Sequence, residues 1–104
     1  MKQKESDLVK ACLELLAYKK IFAKRQNTGA TRTERGGFIR FGIVGAGDIV
    51  TVVDGHHIEI EVKITPNKQS IAQQQYQQEL EKAKGIYWLI YSLEELMEKL
   101  KQLT

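Results

Sequence analysis

The sequence predicts a small α/β domain with a helix at each end of the chain. Two observations predict it: helical periodicity at both ends, and an Asp-Gly dipeptide between two β-rich runs. The 104 residues are 42% hydrophobic and 28% charged, which is typical of a globular protein. At this length a second domain would leave neither half enough apolar surface to outweigh chain entropy. We therefore expect one domain over residues 1–104, in the order helix, strands, helix, strand, helix.

An amphipathic helix is predicted from about residue 5 to residue 20. Its apolar side chains recur at helical spacing on one stripe, which comprises Leu8, Cys12, Leu15 and Leu16. The only cysteine lies on this stripe, so we expect it in the core and expect no internal disulfide. Residues 21–26 alternate in part and predict a strand. Residues 27–37 break every periodicity and are interpreted as a basic loop, before a brief strand at residues 38–41.

A hairpin is the best-defined local structure that the sequence predicts. Asp54-Gly55 connects the β-rich runs 48–53 and 56–63. Asp-Gly is a strong hairpin signal because a type I′ turn needs positive φ at both central positions. Three glycines before the hairpin predict a tight turn or a close approach of the backbone to a neighbour: Gly42, Gly45 and Gly47.

Two more helices and a strand are predicted in the second half of the chain. Residues 70–84 predict a helix that ends at Gly85, and residues 86–91 predict a buried strand. The pattern at residues 92–95 is that of a capping box. It predicts a last helix that extends to about residue 103.

The net charge of +3 is unevenly distributed along the chain. Residues 1–40 hold ten Lys or Arg and four acids, a net of +6, whereas residues 41–104 hold six and nine, a net of −3. The basic first part favours binding of a polyanion, and the acids of the second part are available for a different function. No apolar run approaches the roughly 20 residues that cross a bilayer. We therefore expect a cytoplasmic protein with no membrane partner.

The hairpin register determines which charged side chains meet. A two-residue turn pairs position 53 with position 56, so Asp48 should lie directly opposite Glu61, and Glu59, Glu61 and Lys63 should share one sheet face. Opposed Cβ atoms are about 4.5–5.5 Å apart, where like charges repel. Two carboxylates there destabilise the fold unless a cation lies between them. Oxygen-preferring ions such as Mg²⁺ commonly bind one or two carboxylates plus a substrate phosphate.

The alternation taken alone favours a simpler interpretation of these charges. In that interpretation Glu59, Glu61 and Lys63 are the solvated face of a half-exposed strand. A bulge near the glycines would also shift the register. His56 and His57 are adjacent on the strand and point to opposite faces, which argues against a shared metal.

The order of motifs resembles a known nuclease family. Asp48 followed by Glu61-Val62-Lys63 resembles the catalytic signature of the PD-(D/E)xK nuclease superfamily. The surrounding pattern is similar to the VRR-Nuc family of that superfamily and extends from residue 5 to about residue 100. It consists of Asn27-Thr28-Gly29, residues 40–48, Glu61-Val62-Lys63, and residues 70–76 with Leu80 and Gly85. The chain departs from the family at Gly47, where proline is common.

The resemblance implies a fold, an activity and partners. The fold is a restriction-endonuclease-like core in the order αβββαβ with an extra C-terminal helix, whose mixed central sheet is flanked by helices. The implied protein is a stand-alone nuclease of phage or bacterial type, related to Holliday junction resolvases. It would act as a homodimer on branched or flapped DNA with Mg²⁺ or Mn²⁺.

The resemblance also implies roles for individual residues. Asp48, Glu61 and the backbone carbonyl of Val62 would bind the metal, and Lys63 would position or activate water. Glu5 matches an N-terminal acid of the family, and Gln73 matches a glutamine on the helix after the E-x-K motif. The cations expected to contact DNA phosphates are Lys19, Lys20, Lys24, Arg25, Arg32 and Arg35, with Arg40 nearer the site.

Structural interpretations compete with several of these roles. Ser70 and Gln73 have the spacing of a capping box, and Glu5 suits the first turn of a helix. Tyr76 and Trp88 are interpreted as core residues rather than base-stacking surfaces. Residues 43–50 superficially resemble a dinucleotide-binding loop, although a hairpin follows where a helix is required. A stronger rival is a catalytically inactive DNA-binding protein or a subunit of a larger DNA-processing complex.

Overall fold

A four-stranded mixed sheet flanked by helices forms the centre of the fold. The computed structural model describes residues 4–26, 29–32 and 34–103, with the backbone alone for 29–32 and 38–41. The elements are α1 (Glu5–Tyr18), β1 (Phe22–Arg25), β2 (Gly29–Arg32), β3 (Phe38–Phe41), β4 (Ile49–Val53), β5 (His56–Val62), α2 (Ile71–Lys82), β6 (Ile86–Ile90) and α3 (Leu93–Leu103). The sheet order is β1-β4-β5-β6, and only β5 and β6 pair in parallel within it. The predicted α/β class and mixed sheet are confirmed.

The apolar core lies on one face of this sheet. Because side chains alternate along a strand, β4 and β5 present one apolar face to α1 and α3. The buried side chains of this core, each at most 7% exposed, are Leu8, Val9, Cys12, Leu16, Ile49, Val53, Ile58, Ile60, Val62, Ile90, Leu96 and Leu100. The prediction that Cys12 is a core residue is confirmed, and Trp88 packs against the same core.

The predicted hairpin and its register are confirmed. Val53 pairs with His56 and Ile49 pairs with Ile60, as a two-residue turn requires. Asp54 and Gly55 have φ of 50° and 82°, so both central positions adopt the left-handed conformation. A β-hairpin therefore follows the glycine-containing segment, and the dinucleotide-binding interpretation is wrong.

Two local predictions need correction. The segment 27–37 is not simply a loop, because β2 pairs antiparallel with β3 to form a separate two-stranded sheet. The four residues of β2 carry no alternation of their own, and the strand is defined by its pairing with β3, which begins six positions after β2 ends. Helix α2 ends at Lys82, two residues earlier than predicted, and Lys84 adopts a positive φ of 72° before Gly85. Gly85 is needed for space, since a Cβ there would lie 2.5 Å from Leu80 Cδ1.

The last helix has half of the predicted capping box. Ser92 Oγ accepts the Glu95 N–H at 3.2 Å, whereas the Glu95 carboxylate accepts the N–H of Tyr91 instead of that of Ser92. Across the described ranges, no helix combines the length and apolar content that crossing a bilayer requires.

Candidate active site

The acids of β5 lie on the sheet face opposite the apolar core. Ile58, Ile60 and Val62 face the core, so Glu59 and Glu61 face the side that α2 partly covers. Each glutamate is only 3% exposed. The solvated-face interpretation is therefore wrong for both glutamates, because a helix packs over this part of the face.

Asp48 reaches Glu61 from one residue before β4. Its backbone carbonyl accepts the Gln26 N–H at 2.7 Å, which holds this position beside β1. Its carboxylate Oδ2 accepts the Val62 N–H at 2.8 Å. The carboxyl groups of Asp48 and Glu61 lie close enough for each to influence the pKa of the other. The expected meeting of the two acids is thus present, although Asp48 lies just outside the strand ladder.

Burial and mutual repulsion perturb both acids. Burial, followed by the charge of Asp48, raises the pKa of Glu61 to about 8, against the lowering effect of Lys63. Burial also raises the pKa of Asp48, and the Val62 N–H bond opposes this. Ionisation of Glu61 is therefore less favourable than that of a solvent-exposed glutamate, because the charged form is both desolvated and close to Asp48.

The oxygen donors of this pair fit a hard divalent cation. Mg²⁺ and Mn²⁺ prefer carboxylate and carbonyl oxygens, and Mg²⁺ needs only one or two carboxylates when water and phosphate complete its shell. Asp48 and Glu61 supply two carboxylates, and the Val62 carbonyl lies next to Glu61 in sequence. In the described ranges, no His, Cys, Asp or Glu side chain extends the pair to a cluster of three or more. A metal here would offset the repulsion between the two carboxylates.

Three polar side chains surround Glu61. Lys63 Nζ lies 3.7 Å from Glu61 Oε1, and its side chain is 14% exposed. Gln73 Nε2 donates to the same oxygen at 2.8 Å, and the Tyr87 hydroxyl donates to Oε2 at 3.4 Å. Sequence reasoning missed Tyr87, which the parallel pairing of β5 with β6 brings beneath α2. Lys63 and Gln73, two residues to which the resemblance assigns roles, both lie beside Glu61.

Gln73 both caps α2 and donates a hydrogen bond to Glu61. Its Oε1 accepts the Ser70 N–H at 2.8 Å, and its own N–H donates to Ser70 Oγ at 3.1 Å, which completes the capping box. The remaining amide group is the one that reaches Glu61. The capping and site interpretations are therefore compatible.

Glu5 lies close enough to the acid pair to affect it. Its Oε2 accepts a hydrogen bond from Asn67 Nδ2 at 2.9 Å, and its charge contributes to the raised pKa of Asp48. Glu5 also occupies the first turn of α1, where an acid favours the helix. Both predicted roles of Glu5 are consistent with this position.

Sequence reasoning placed Glu59, the second buried acid of β5, on this face but assigned it no role in the site. Its carboxylate accepts the Tyr76 hydroxyl at 2.5 Å, Gln26 Nε2 at 2.9 Å and the Gly47 N–H at 3.1 Å, and His57 Nε2 lies 3.0 Å away. Burial raises the pKa of Glu59, but these hydrogen bonds outweigh burial and hold it below its usual range. Because Gly47 precedes Asp48, this ionised carboxylate fixes the segment that delivers the site's aspartate. Tyr76 is thus a polar contact as well as a packing residue.

The predicted close approach at the glycines is confirmed. Gly45 has φ of 88°, and a Cβ there would lie 2.4 Å from the Ala72 carbonyl oxygen. A Cβ at Gly47 would lie 3.0 Å from Ile60 backbone atoms. The segment before Asp48 can therefore lie against both α2 and β5. It does so without a proline at position 47.

The predicted phosphate-contacting cations lie on exposed surface where their side chains are described. These are Lys19, Lys20, Lys24, Arg25 and Arg35. Arg32 and Arg40 lie on β2 and β3, where the backbone alone is described, and Asn27 and Thr28 lie outside the described residues. No protein-family model matches the chain, and no curated protein is significantly similar to it.

Proposed function

We propose that the chain is a divalent-metal-dependent, structure-selective DNA endonuclease that hydrolyses phosphodiester bonds in branched DNA, with Holliday junctions or flaps as substrates. The observation that carries this proposal is the convergence of two carboxylates and an ammonium group: half-buried Asp48 accepts the N–H of the residue after buried Glu61, and Lys63 lies beside Glu61. Such a pair destabilises the folded state, and a purely structural role offers no gain in stability that would offset this. The proposal includes a restriction-endonuclease-like core and membership of the VRR-Nuc family.

The chemistry assigned to the site follows from its oxygen donors. A bound Mg²⁺ or Mn²⁺ supplies Lewis acidity, a lowered water pKa and orientation of the phosphate. Asp48, Glu61 and the Val62 carbonyl would hold it, while Gln73 keeps the Glu61 carboxylate in place. Lys63 presents an ammonium group beside these acids, where it can stabilise phosphoryl charge or orient the attacking water.

The proposed partner is DNA, bound through its phosphates. Exposed cations at the end of α1 and on β1 give affinity without base readout, which suits an enzyme that selects DNA shape. A homodimer is part of the proposal, because one small domain cannot easily hold two arms of a junction. We place this activity in the cytoplasm of a bacterial or phage-infected cell.

Cleavage of a substrate panel tests the activity. Flap, splayed-arm, four-way and linear DNA are incubated with Mg²⁺, Mn²⁺ or EDTA, and nicks are resolved on denaturing gels. Asp48→Asn, Glu61→Gln and Lys63→Ala should each lower cleavage by about 100-fold or more while binding persists. Matched substitutions of exposed residues, Asp54→Asn, Glu98→Gln and Lys82→Ala, should cleave like the wild type.

The results separate the enzyme from its rival. Wild-type cleavage rates in any one of the three site variants would remove that residue from the proposed mechanism. A wild-type protein that binds branched DNA yet never cuts it with either metal would instead be a nuclease-fold DNA-binding protein or a subunit of a larger complex.

A further inference from the structure

Only half of the sheet face that carries Glu59 and Glu61 is covered by other parts of the molecule. Register places Phe22 beside Val52 and Val52 beside His57, across three strands. Paired residues share a face, and His57 lies two residues before Glu59 on β5, so this row lies on the face of Glu59 and Glu61. Lys24 belongs to the next row of the same face, through its pairing with Val50.

Helix α2 covers the β6 side of this face and leaves the β1 side exposed. Tyr76 reaches Glu59 and Gln73 reaches Glu61, which places α2 over the acids. By contrast Phe22 is 57% exposed and Val52 39% exposed. We call the exposed set the open half-face; its members are Phe22, Lys24, Val52 and His57.

The chemistry of the open half-face fits a nucleic-acid strand better than a second copy of the chain. Lys24 Nζ lies 5.9 Å from the centroid of the Phe22 ring, so an exposed aromatic ring and a cation lie together. Single-stranded nucleic acid is bound by this combination, because bases stack on aromatic rings and cations bind the phosphates. A symmetric self-association of the same face would bring each Lys24 toward its own copy. Charge complementarity therefore favours a polyanion.

We propose that the open half-face binds an unpaired DNA strand, with a base stacked on Phe22 and a phosphate on Lys24, and leads that strand to Asp48 and Glu61. This rests on the proposed function, and it names the substrate class as DNA with a single-stranded arm, such as a flap or splayed arm. Four positions along the strands and two strand spacings separate Phe22 from Glu61, a distance of about 16 Å. A few nucleotides span this distance.

Binding without cleavage tests the proposal. Fluorescence anisotropy in EDTA measures the affinity of the full chain for oligo-dT and for a blunt duplex. Phe22→Ala and Phe22→Leu should each weaken oligo-dT binding about 5- to 100-fold, while duplex binding changes less than about twofold. Phe22→Trp should retain oligo-dT binding, and Met97→Ala, which removes an exposed apolar side chain on α3, should bind like the wild type.

The salt dependence of binding tests the role of Lys24. Lys24→Ala should reduce the slope of log affinity against log salt for oligo-dT by about 0.7, as the loss of one phosphate contact requires. Lys82→Ala, an exposed lysine on α2, is the matched control and should leave the slope unchanged.

Each outcome decides the proposal. Equal losses for oligo-dT and duplex, or no loss in either Phe22 variant, would overturn it. A wild-type dimer that becomes monomeric in Phe22→Leu, measured by light scattering, would make the face an interface between copies and would also overturn it. Selective loss of oligo-dT binding would support it even if no substrate is cut, in which case the nuclease proposal alone fails.

Discussion

Replacement of Glu61 by glutamine should stabilise the metal-free protein increasingly as the pH rises. Burial and the charge of Asp48 raise the pKa of Glu61 from 4.5 to about 8. A group whose pKa is higher in the folded state contributes stability below its unfolded pKa and loses it as the pH rises through the folded value. The wild type should therefore lose stability progressively between pH 4.5 and about 8.

The magnitude is large for a domain of this size. At about 1.4 kcal/mol per pKa unit, ionisation of Glu61 costs the folded state up to about 5 kcal/mol above pH 8. Small domains are stable by only about 5–15 kcal/mol in total. Glutamine has no proton to lose, so Glu61→Gln lacks this contribution to the pH dependence.

Urea unfolding in EDTA, from about pH 5 to pH 8.5, measures the effect. The unfolding free energy of Glu61→Gln should rise relative to the wild type across this range, and that of Glu98→Gln, an exposed acid on α3, should follow the wild type. Saturating Mg²⁺ or Mn²⁺ should reduce the difference, because a cation offsets the repulsion. Parallel curves for wild type and Glu61→Gln would refute the buried contact between the two carboxyl groups.

Three further substitutions test the surroundings of the site by urea unfolding. Glu59→Gln should lower the free energy of unfolding by about 1–3 kcal/mol at neutral pH, because buried donors lose an ionised acceptor. Since the pKa of Glu59 is lowered in the folded state, this loss should shrink below pH 4.5. A loss that does not depend on pH would contradict this. Gly45→Ala should destabilise more than Gly55→Ala, since both have positive φ but only Gly45 meets the Ala72 carbonyl; equal losses would argue against that contact. Ser70→Ala should cost about 1 kcal/mol through loss of the helix cap, and no loss would show that the cap is dispensable.

The hairpin could be predicted because its determinants are local. Asp54-Gly55 selects one turn type, that turn fixes the register, and the register brings Asp48 to Glu61. No distant contact is needed for this reasoning. The same holds for the start of α2, where Ser70 and Gln73 are three residues apart.

The burial of the acids could not be predicted, because alternation is the same for a solvated face and for a face under a helix. Whether Glu59 and Glu61 meet water depends on where α2 packs, and α2 follows in sequence. The Tyr76 hydroxyl that reaches Glu59 is separated from it by 17 positions. Pairing of β2 with β3 likewise depends on a partner rather than on a local pattern.

The side-chain amide of Gln73 joins two parts of the molecule. Its oxygen accepts the Ser70 N–H at the start of α2 and its nitrogen donates to Glu61, so one side chain links the helix cap to the acid. Fraying of that turn would therefore disturb a hydrogen bond of Glu61 as well. A hydrogen bond to an ionised carboxylate is stronger than one to a neutral acid. Deprotonation of Glu61 would thus strengthen its hydrogen bond with Gln73 and hold the first turn of α2 more firmly. The order of this backbone turn would then depend on the charge of Glu61.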